Sequence, residues 1–222
     1  MADYGALIPL ENGNPFITPN STPFCLYRKV TANSVGTGGN YQGASADIPI
    51  DPSYPAIVFC KTSNAATVSA ARVGNVIKVG SSSPRGLTHT LTAYVFAIFP
   101  QTLPKWGMAI WDEAGKLVLT NESKVLTDLV TIGTPGNNGG INIDQTLAGS
   151  YAIVPTILGS SLWQITVQGQ PVIINSTAYA GALFNGSTTR INAQGSQTGQ
   201  GSPAGGTNTG MAITAINTAA YD

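Results

Sequence analysis

Few residues in this chain have side chains that could do chemistry, and their spacing matches no familiar active site. His89 is the single histidine among 222 residues. A zinc site or a catalytic triad would need partners at set spacings, such as HExxH or GxSxG, and the sequence contains neither. We therefore interpret His89, in "LTHTLT", as a solvated histidine at the start of a strand and not as a ligand or a general base.

The ten acidic residues are scattered, which makes a carboxylate enzyme the weaker hypothesis. A glycosidase needs two facing carboxyl groups roughly 5 to 10 Å apart, and distant strands could still bring such a pair together. Asp112 and Glu113 are adjacent, but they lie in a predicted turn, where aspartate accepts local backbone hydrogen bonds. We predict no catalytic residue, no metal ligand and no cofactor, and we expect the protein not to be an enzyme.

The two cysteines, Cys25 and Cys60, each lie among apolar neighbours, in "PFCLY" and "IVFCK". A disulfide or a reactive thiol is one interpretation. Without CxxC spacing or a secretion signal, however, two cysteines form no recognisable framework. Buried thiols that act as small hydrophobic side chains are the favoured prediction.

Composition excludes further classes of function. Charged residues make up 9% of the chain and the formal net charge is zero, so nothing indicates binding to a polyanion such as a nucleic acid. The N-terminus, "MADYGALIPL", does not have the pattern of a signal peptide. The most apolar stretch, "LTAYVFAIF", is far shorter than a membrane-spanning helix. We expect a soluble protein made in the cytosol, with no membrane insertion.

The elements that would position any site begin with an internal repeat. Residues 4–24, "YGALIPLENGNPFITPNSTPF", align without a gap on residues 106–126, "WGMAIWDEAGKLVLTNESKVL". In each copy two apolar runs flank a turn, "ENG" or "DEAG", so each copy is predicted to open with a β-hairpin.

Weaker parallels extend the repeat over both halves of the chain. Residues 47–59 match 140–154, each interpreted as an isoleucine-rich strand, an Asp and turn, and a second strand. Residues 71–79 match 165–175, each interpreted as a strand, a Gly-containing turn and another strand, and 89–99 match 211–221 as a closing strand. No helical period is sustained anywhere. We predict an all-β fold of two tandem antiparallel β-sandwich domains that arose by duplication, residues 1–103 and 104–222, joined by "PQTLPK". Jelly-roll or barrel variants stay open.

Residues 176–210 form an insertion that only the second half contains. Its last sixteen residues, "GSQTGQGSPAGGTNTG", have no aliphatic or aromatic anchor, so they are predicted to be a flexible loop. "GQGSPA" fits a GxGxxA pattern but lacks the strand and helix of a dinucleotide site. The "AYAGALF" segment is either a partner-binding surface or an added strand. The candidate interaction residues are Tyr179, Phe184, Gly195, Gly199, Gly201, Gly205 and Gly206.

The repeated hairpin resembles one that recurs in small β-rich structural proteins of tailed bacteriophages, associated with the tail tip and tail fibres. "WGMAIWDEAGKLVLTNES" is the closer match; the first copy departs from it by placing Pro9 and Pro15 in its strands. The Gly-rich segment is also similar to receptor-contacting loops of phage adhesins. The resemblance implies a virion structural protein, assembled in the host cytoplasm, with other virion proteins, further copies of itself and a host surface receptor as partners. A capsid decoration or head-fibre protein and a carbohydrate-binding module are the alternatives.

Overall fold

The computed structural model describes residues 22–136, 138–199 and 201–222, and the backbone of two short strands before them. The described residues contain no α-helix, which confirms the all-β prediction. The strands of the first half are β1 Ile8–Pro9, β2 Pro15–Ile17, β3 Cys25–Asn33, β4 Val35–Gly38, β5 Tyr41–Pro49, β6 Ala56–Thr62, β7 Thr67–Val73, β8 Val76–Ser83 and β9 Thr90–Ala97. Those of the second half are β10 Ala109–Trp111, β11 Leu117–Thr120, β12 Leu129–Ile132, β13 Asp144–Ala148, β14 Tyr151–Ile153, β15 Ile157–Val167, β16 Gln170–Phe184, β17 Thr188–Gly195, β18 Ser202–Asn208 and β19 Ile213–Asn217.

Two predicted hairpins form because their turn residues accept positive φ. Strands β7 and β8 are joined by a two-residue turn in which Gly74 has φ 59°. Strands β15 and β16 are joined by Gln168 and Gly169, with φ of 51° and 78°. Two-residue hairpin turns that match the right-handed twist of their strands need positive φ at both central residues or at the first one, and these two turns meet the second and the first condition respectively. The hairpin predictions for 71–79 and 165–175 are confirmed.

The opening hairpins of the two halves also have the same register. Ile8 pairs with Ile17 in the first, and Ile110 pairs with Leu119 in the second, which are aligned positions of the repeat. A register shift follows directly after Ile8 and after Ile110. Both predicted hairpins are therefore present as paired strands, although the Asn12-Gly13 turn lies outside the described residues.

A large sheet contains strands from both halves of the chain. In the first half β9 lies between β3 and β6, and in the second half β19 lies between β12 and β14, all antiparallel. The two triplets meet where Ile153 of β14 pairs with Cys60 of β6. Strands β13, β15, β16, β17 and β18 extend the same sheet, whereas β4, β5, β8 and β7 form a separate four-stranded sheet.

The large sheet is covered on both faces in its centre. On one face, alternate residues of β9, such as Ala93 and Val95, belong to an apolar cluster with Val79 of the four-stranded sheet and Ile213 of β19. On the other face, Phe59, Tyr94 and Phe96 pack with Ile216 and Tyr221. The first cluster is continuous across the two halves, and the division at residues 103 and 104 stays a prediction.

One predicted strand in the repeat is wrong. Residues 140–142 of "GINI" form a 3-10 turn, and the strand begins only at Asp144. Gly140 has φ 61°, and a side chain there would collide with the amide of Asn208. That amide accepts a hydrogen bond from the Ile141 N–H at 3.0 Å and donates to Gly139 O at 3.2 Å. A distant residue of the insertion therefore holds this turn, which local sequence could not indicate.

The insertion is also more regular than predicted. The flexible-loop prediction is wrong for residues 202–208, because they form β18 and pair with β15 from Gly159 to Gln164. All seven residues of β18 are exposed, so the premise that they bury little holds. Backbone hydrogen bonding at a sheet edge, and not burial, orders the segment. The alternative interpretation of "AYAGALF" as a strand is confirmed, since it is the last part of β16.

Candidate functional site

The seven candidate interaction residues do not form one exposed surface. Tyr179 and Phe184 lie half-buried within β16, where Tyr179 pairs with Ile157 on one side and Gln194 on the other. The ammonium of Lys61 lies over the Phe184 ring, 5.2 Å from its centre. Both aromatic side chains belong to the sheet. Gly195 ends β17 and pairs with Ala178 of β16, whereas the other candidate glycines lie on β18 or in the turn before it.

The glycines allow a close approach between backbones. A side chain on Gly201 would collide with Gln164 O, and one on Gly206 would collide with Ser160 O. A Cβ on Gly199 would come within 2.6 Å of the Trp163 indole. Since only glycine fits these positions, the Gly-rich composition that predicted a flexible loop instead lets β18 and the turn before it lie directly against β15.

The outermost part of the β15–β16 hairpin, residues 162–175, is the most distinctive exposed feature, and we call it the arm. Trp163 faces Ile174 and Ile165 faces Val172 across the two strands, so these four side chains share one face. Val167 and Val172 are 46% and 40% exposed, and Ile173 on the opposite face is 53% exposed. Apolar side chains therefore meet solvent on both faces near the tip of the arm.

The arm carries no charge. Between residues 145 and 221 the sequence has a single charged residue, Arg190. Its guanidinium forms a bidentate ion pair with Asp144, with distances of 2.8 and 2.6 Å. Hydrogen bonding to Arg190 holds the pKa of the Asp144 carboxyl below its usual value, so the pair is ionised at neutral pH. The surface of this part of the protein is therefore electrically neutral apart from one compensated pair.

Exposed aromatic side chains lie beside the second opening hairpin. Trp106 is 80% exposed and Trp111 is 51% exposed. The hairpin reverses at Asp112, whose Oδ1 accepts hydrogen bonds from the N–H groups of Ala114 and Lys116 at 3.0 and 2.8 Å. This confirms the predicted local role of Asp112.

A polar cleft of about 240 Å³ lies where the insertion meets the first half. Arg85 comes from the first half, whereas Arg190, Asn192 and Gln194 come from β17. The Arg85 side chain is exposed and makes no hydrogen bond or ion pair with the described residues. The cleft offers guanidinium and amide groups, which suit the hydroxyl or carboxylate groups of a small polar ligand.

A partly buried ionic cluster was not predicted from the sequence. The Lys61 ammonium lies 3.0 Å from the Asp222 carboxylate and also donates to Ser150 Oγ and Thr218 Oγ1, at 2.6 and 3.0 Å. Tyr94 donates its hydroxyl hydrogen to the same carboxylate. A lysine within the apolar run "IVFCKT" was the one available signal, since a buried lysine needs a partner.

The protonation of this cluster follows from burial and hydrogen bonding. Burial lowers the pKa of Lys61, while the Asp222 carboxylate opposes that change. Burial would raise the pKa of Asp222, but hydrogen bonds from Tyr94, Lys29, Lys61 and Thr218 outweigh it and hold the pKa well below its usual value. Burial and the neighbouring carboxylate raise the pKa of Tyr94. The ammonium hydrogens of Lys61 are used in hydrogen bonds, so the cluster links β6 and β9 to residues 218–222.

The remaining candidate residues are buried. His89 is 5% exposed, with Nε2 2.8 Å from Ser81 Oγ and Nδ1 3.0 Å from Leu87 O. The prediction of a solvated histidine is wrong, because β8 and the preceding loop cover the ring. Cys25 and Cys60 are buried free thiols, as predicted, and burial raises their pKa values to about 11 and about 12. The described residues include no cluster of three or more metal-ligating side chains.

The chain matches no protein-family model, and no curated protein or solved structure is significantly similar to it. In the part of the chain that the structure describes, no helix has the length and apolar character to cross a membrane.

Proposed function

We propose that this chain is a non-enzymatic structural subunit that acts by assembling with neighbouring subunits. The observation that carries the proposal is the arm, which exposes apolar side chains on a narrow ribbon without any charge. Exposed apolar surface of this kind marks an interface in a soluble protein. Weak contacts of this type gain strength when many copies act together in a symmetric assembly.

More specifically, we propose a virion structural protein of the tail tip or tail fibre of a tailed bacteriophage. The support is the resemblance of the repeated hairpin, and both copies are paired hairpins with the same register. Host-surface attachment would then use the exposed tryptophans or the Arg85 cleft. A capsid decoration or head-fibre role keeps the same interfaces at a different place in the particle.

Immunogold labelling of phage particles from cells that carry this gene tests the proposal. Label on the tail tip or on fibres is the expected result, and label on the capsid would favour the decoration or head-fibre role. Particles that bear no label while the chain is present in the same lysate would refute a virion role.

We also propose that the two halves arose by duplication of one β-sandwich domain, with a boundary near residue 103. The parallel arrangement of β9 between β3 and β6, and of β19 between β12 and β14, supports this interpretation. Strand β17 then lies in the inserted segment, between β13 and β16. Separate expression of residues 1–103 and 104–222 tests the boundary, because two folded fragments are expected.

Carbohydrate binding is a second candidate function, favoured by the exposure of Trp106 and Trp111. Indole rings on a surface stack against sugar rings in binding sites, because they bury apolar area at little entropic cost. A glycan array probed with the purified chain would test it. Loss of a signal on Trp111→Ala supports stacking at this hairpin, whereas loss on Arg85→Ala places the sugar in the polar cleft. Tyr179→Ala is the matched control, because Tyr179 is half-buried in β16.

A further inference from the structure

The outer edge of β16 is open over residues 170–175, "QPVIIN". Strand β16 pairs with β15 from Gln170 to Tyr179, but with β17 only from Ala178 to Phe184. Next to that boundary, Thr177 O accepts a hydrogen bond from the Ser196 N–H. From residue 170 to 175 no described strand lies on the outer side, so the backbone N–H and C=O groups that point outward have no partner in the described chain.

Some other edge strands of this protein carry charged side chains, and the uncharged ones, β4, β12 and β18, are only four residues long or rich in glycine. Edge strand β3 carries Arg28 and Lys29, β7 carries Arg72, and β13 begins with Asp144. Charged side chains on an edge strand discourage pairing with another chain. Residues 170–175 are uncharged and contain three consecutive β-branched side chains, a composition that strongly favours strand pairing. Beyond Gln164, where the pairing with β18 ends, the arm is a ribbon of only two strands, and such a ribbon is marginally stable in water by itself.

We propose that this edge pairs with the same edge of a second copy of the chain, in antiparallel orientation about a two-fold axis. The inference rests on the proposed function, in which the chain acts through interfaces, and it names the surface and the partner. The absence of charge on the arm favours a second copy of the chain as the partner. Two uncharged arms approach without repulsion, whereas a partner with charged side chains would have to lose their hydration against a surface that offers no countercharge.

The geometry of the edge is complementary to itself. An antiparallel strand offers alternating donors and acceptors along its edge, so two identical edges satisfy each other when one is turned by a half rotation. Val172 and Ile173 are exposed on opposite faces, and pairing would place each beside apolar side chains of the second copy. Pro171 has no N–H to donate, which limits the paired length towards the tip.

Sedimentation equilibrium of the full chain over a concentration series tests the proposal. The wild-type chain is expected to associate reversibly to twice its mass of 22.8 kDa. The variant Val172→Lys/Ile173→Lys should weaken self-association at least tenfold. Val73→Lys is the matched control, since Val73 is 56% exposed beside a hairpin turn of the other sheet, and this variant should associate like the wild type.

Cysteine cross-linking gives a second readout that does not depend on the lysine variant. Ile173→Cys is expected to form a disulfide-linked dimer under mild oxidation. Cys25 and Cys60 are buried, so they should not compete with the introduced thiol. Val73→Cys should stay monomeric in the same gel. Circular dichroism checks that each variant is folded.

Two results would overturn the inference: a wild-type chain that stays at 22.8 kDa at every concentration, or self-association that the double lysine variant leaves unchanged. Failure of the proposed function gives a different result. If the particles are labelled but the chain is monomeric in solution, the virion role stands and the arm contact is rejected. If the chain dimerises through the arm but the particles carry no label, the arm contact stands and the virion role is rejected.

Discussion

Neutralising Asp222 should destabilise the protein mainly through Lys61, the more buried of the two lysines with which it pairs. Asp222→Asn keeps the size of the side chain and a carbonyl oxygen for the Tyr94 hydroxyl, but it removes the negative charge. The Lys61 side chain is only 10% exposed, whereas that of Asp222 is 35% exposed. The substitution therefore leaves a mostly buried ammonium without its countercharge.

The size of the expected loss in unfolding free energy follows from these exposures. Removing one partner of a fully buried ion pair costs about 3 to 5 kcal/mol, while exposed pairs contribute about 1 kcal/mol or less. This pair lies between the two limits, because solvent screens the carboxylate more than the ammonium. We expect Asp222→Asn to lower the free energy of unfolding by about 2 kcal/mol at neutral pH.

A second substitution separates the charge effect from general disruption. Lys61→Met replaces the ammonium by an apolar group of similar length beside the rings of Tyr94 and Phe184. In the double variant Asp222→Asn/Lys61→Met no buried charge is left unpaired. The double variant should therefore be at least about 1 kcal/mol more stable than Asp222→Asn alone, which a double-mutant cycle measures.

The pH dependence provides an independent check. Asp222 has a lower pKa in the folded protein than in the unfolded chain, so its contribution is fully present above the unfolded value of about 4 and declines as the pH falls further. The difference between wild type and Asp222→Asn should shrink below that pH. Urea unfolding followed by tryptophan fluorescence measures both effects. A loss below about 0.5 kcal/mol at neutral pH, or strictly additive single variants, would refute the reasoning.

Three further outcomes are expected. Gly206→Ala should lower the free energy of unfolding by about 1 to 3 kcal/mol, because its Cβ collides with Ser160 O. Gly36→Ala is the control and should cost less, because there is room for a Cβ at that position. Urea unfolding compares the two variants, and equal losses would contradict the close approach of β18 to β15. Both cysteines should resist a thiol reagent at pH 8 in the native protein and react after unfolding, because burial raises their pKa values to about 11 and about 12. Rapid labelling of the native protein would show that a thiol is accessible. Trypsin should cut early after the exposed Lys105, and the two fragments should elute together from a sizing column because the apolar cluster contains residues of both halves. Fragments that separate would show that this cluster does not hold the two halves together.

Features that depend on neighbouring residues were predictable from the sequence. Gly74 and Gly169 place two-residue turns between apolar runs, and both hairpins form. Asp112 was expected to accept backbone hydrogen bonds in its turn, and it does. The apolar neighbours of Cys25 and Cys60 indicated burial correctly. In each case the interactions that decide the structure lie within a few residues of one another.

Features that depend on distant pairing were not predictable in the same way. The Gly-rich run at 202–208 has the composition of a loop, yet β15 supplies a backbone edge on which it becomes a strand. Gly140 was assigned to a strand, but Asn208 holds a turn there. Lys61 meets Asp222 across 161 positions of the chain, and spacing along the sequence carries no sign of that contact.

Local propensity and composition are enough to predict the strand-forming class, the hairpin turns and the almost complete absence of charge after residue 144. Which backbone edges are paired and which are open depends on contacts between distant strands. Whether a neutral, apolar segment is buried or exposed depends on the strands that lie beside it, and those strands come from distant parts of the chain. Residues 170–175 are an open edge for that reason: β17 stops short of them on the outer side of β16.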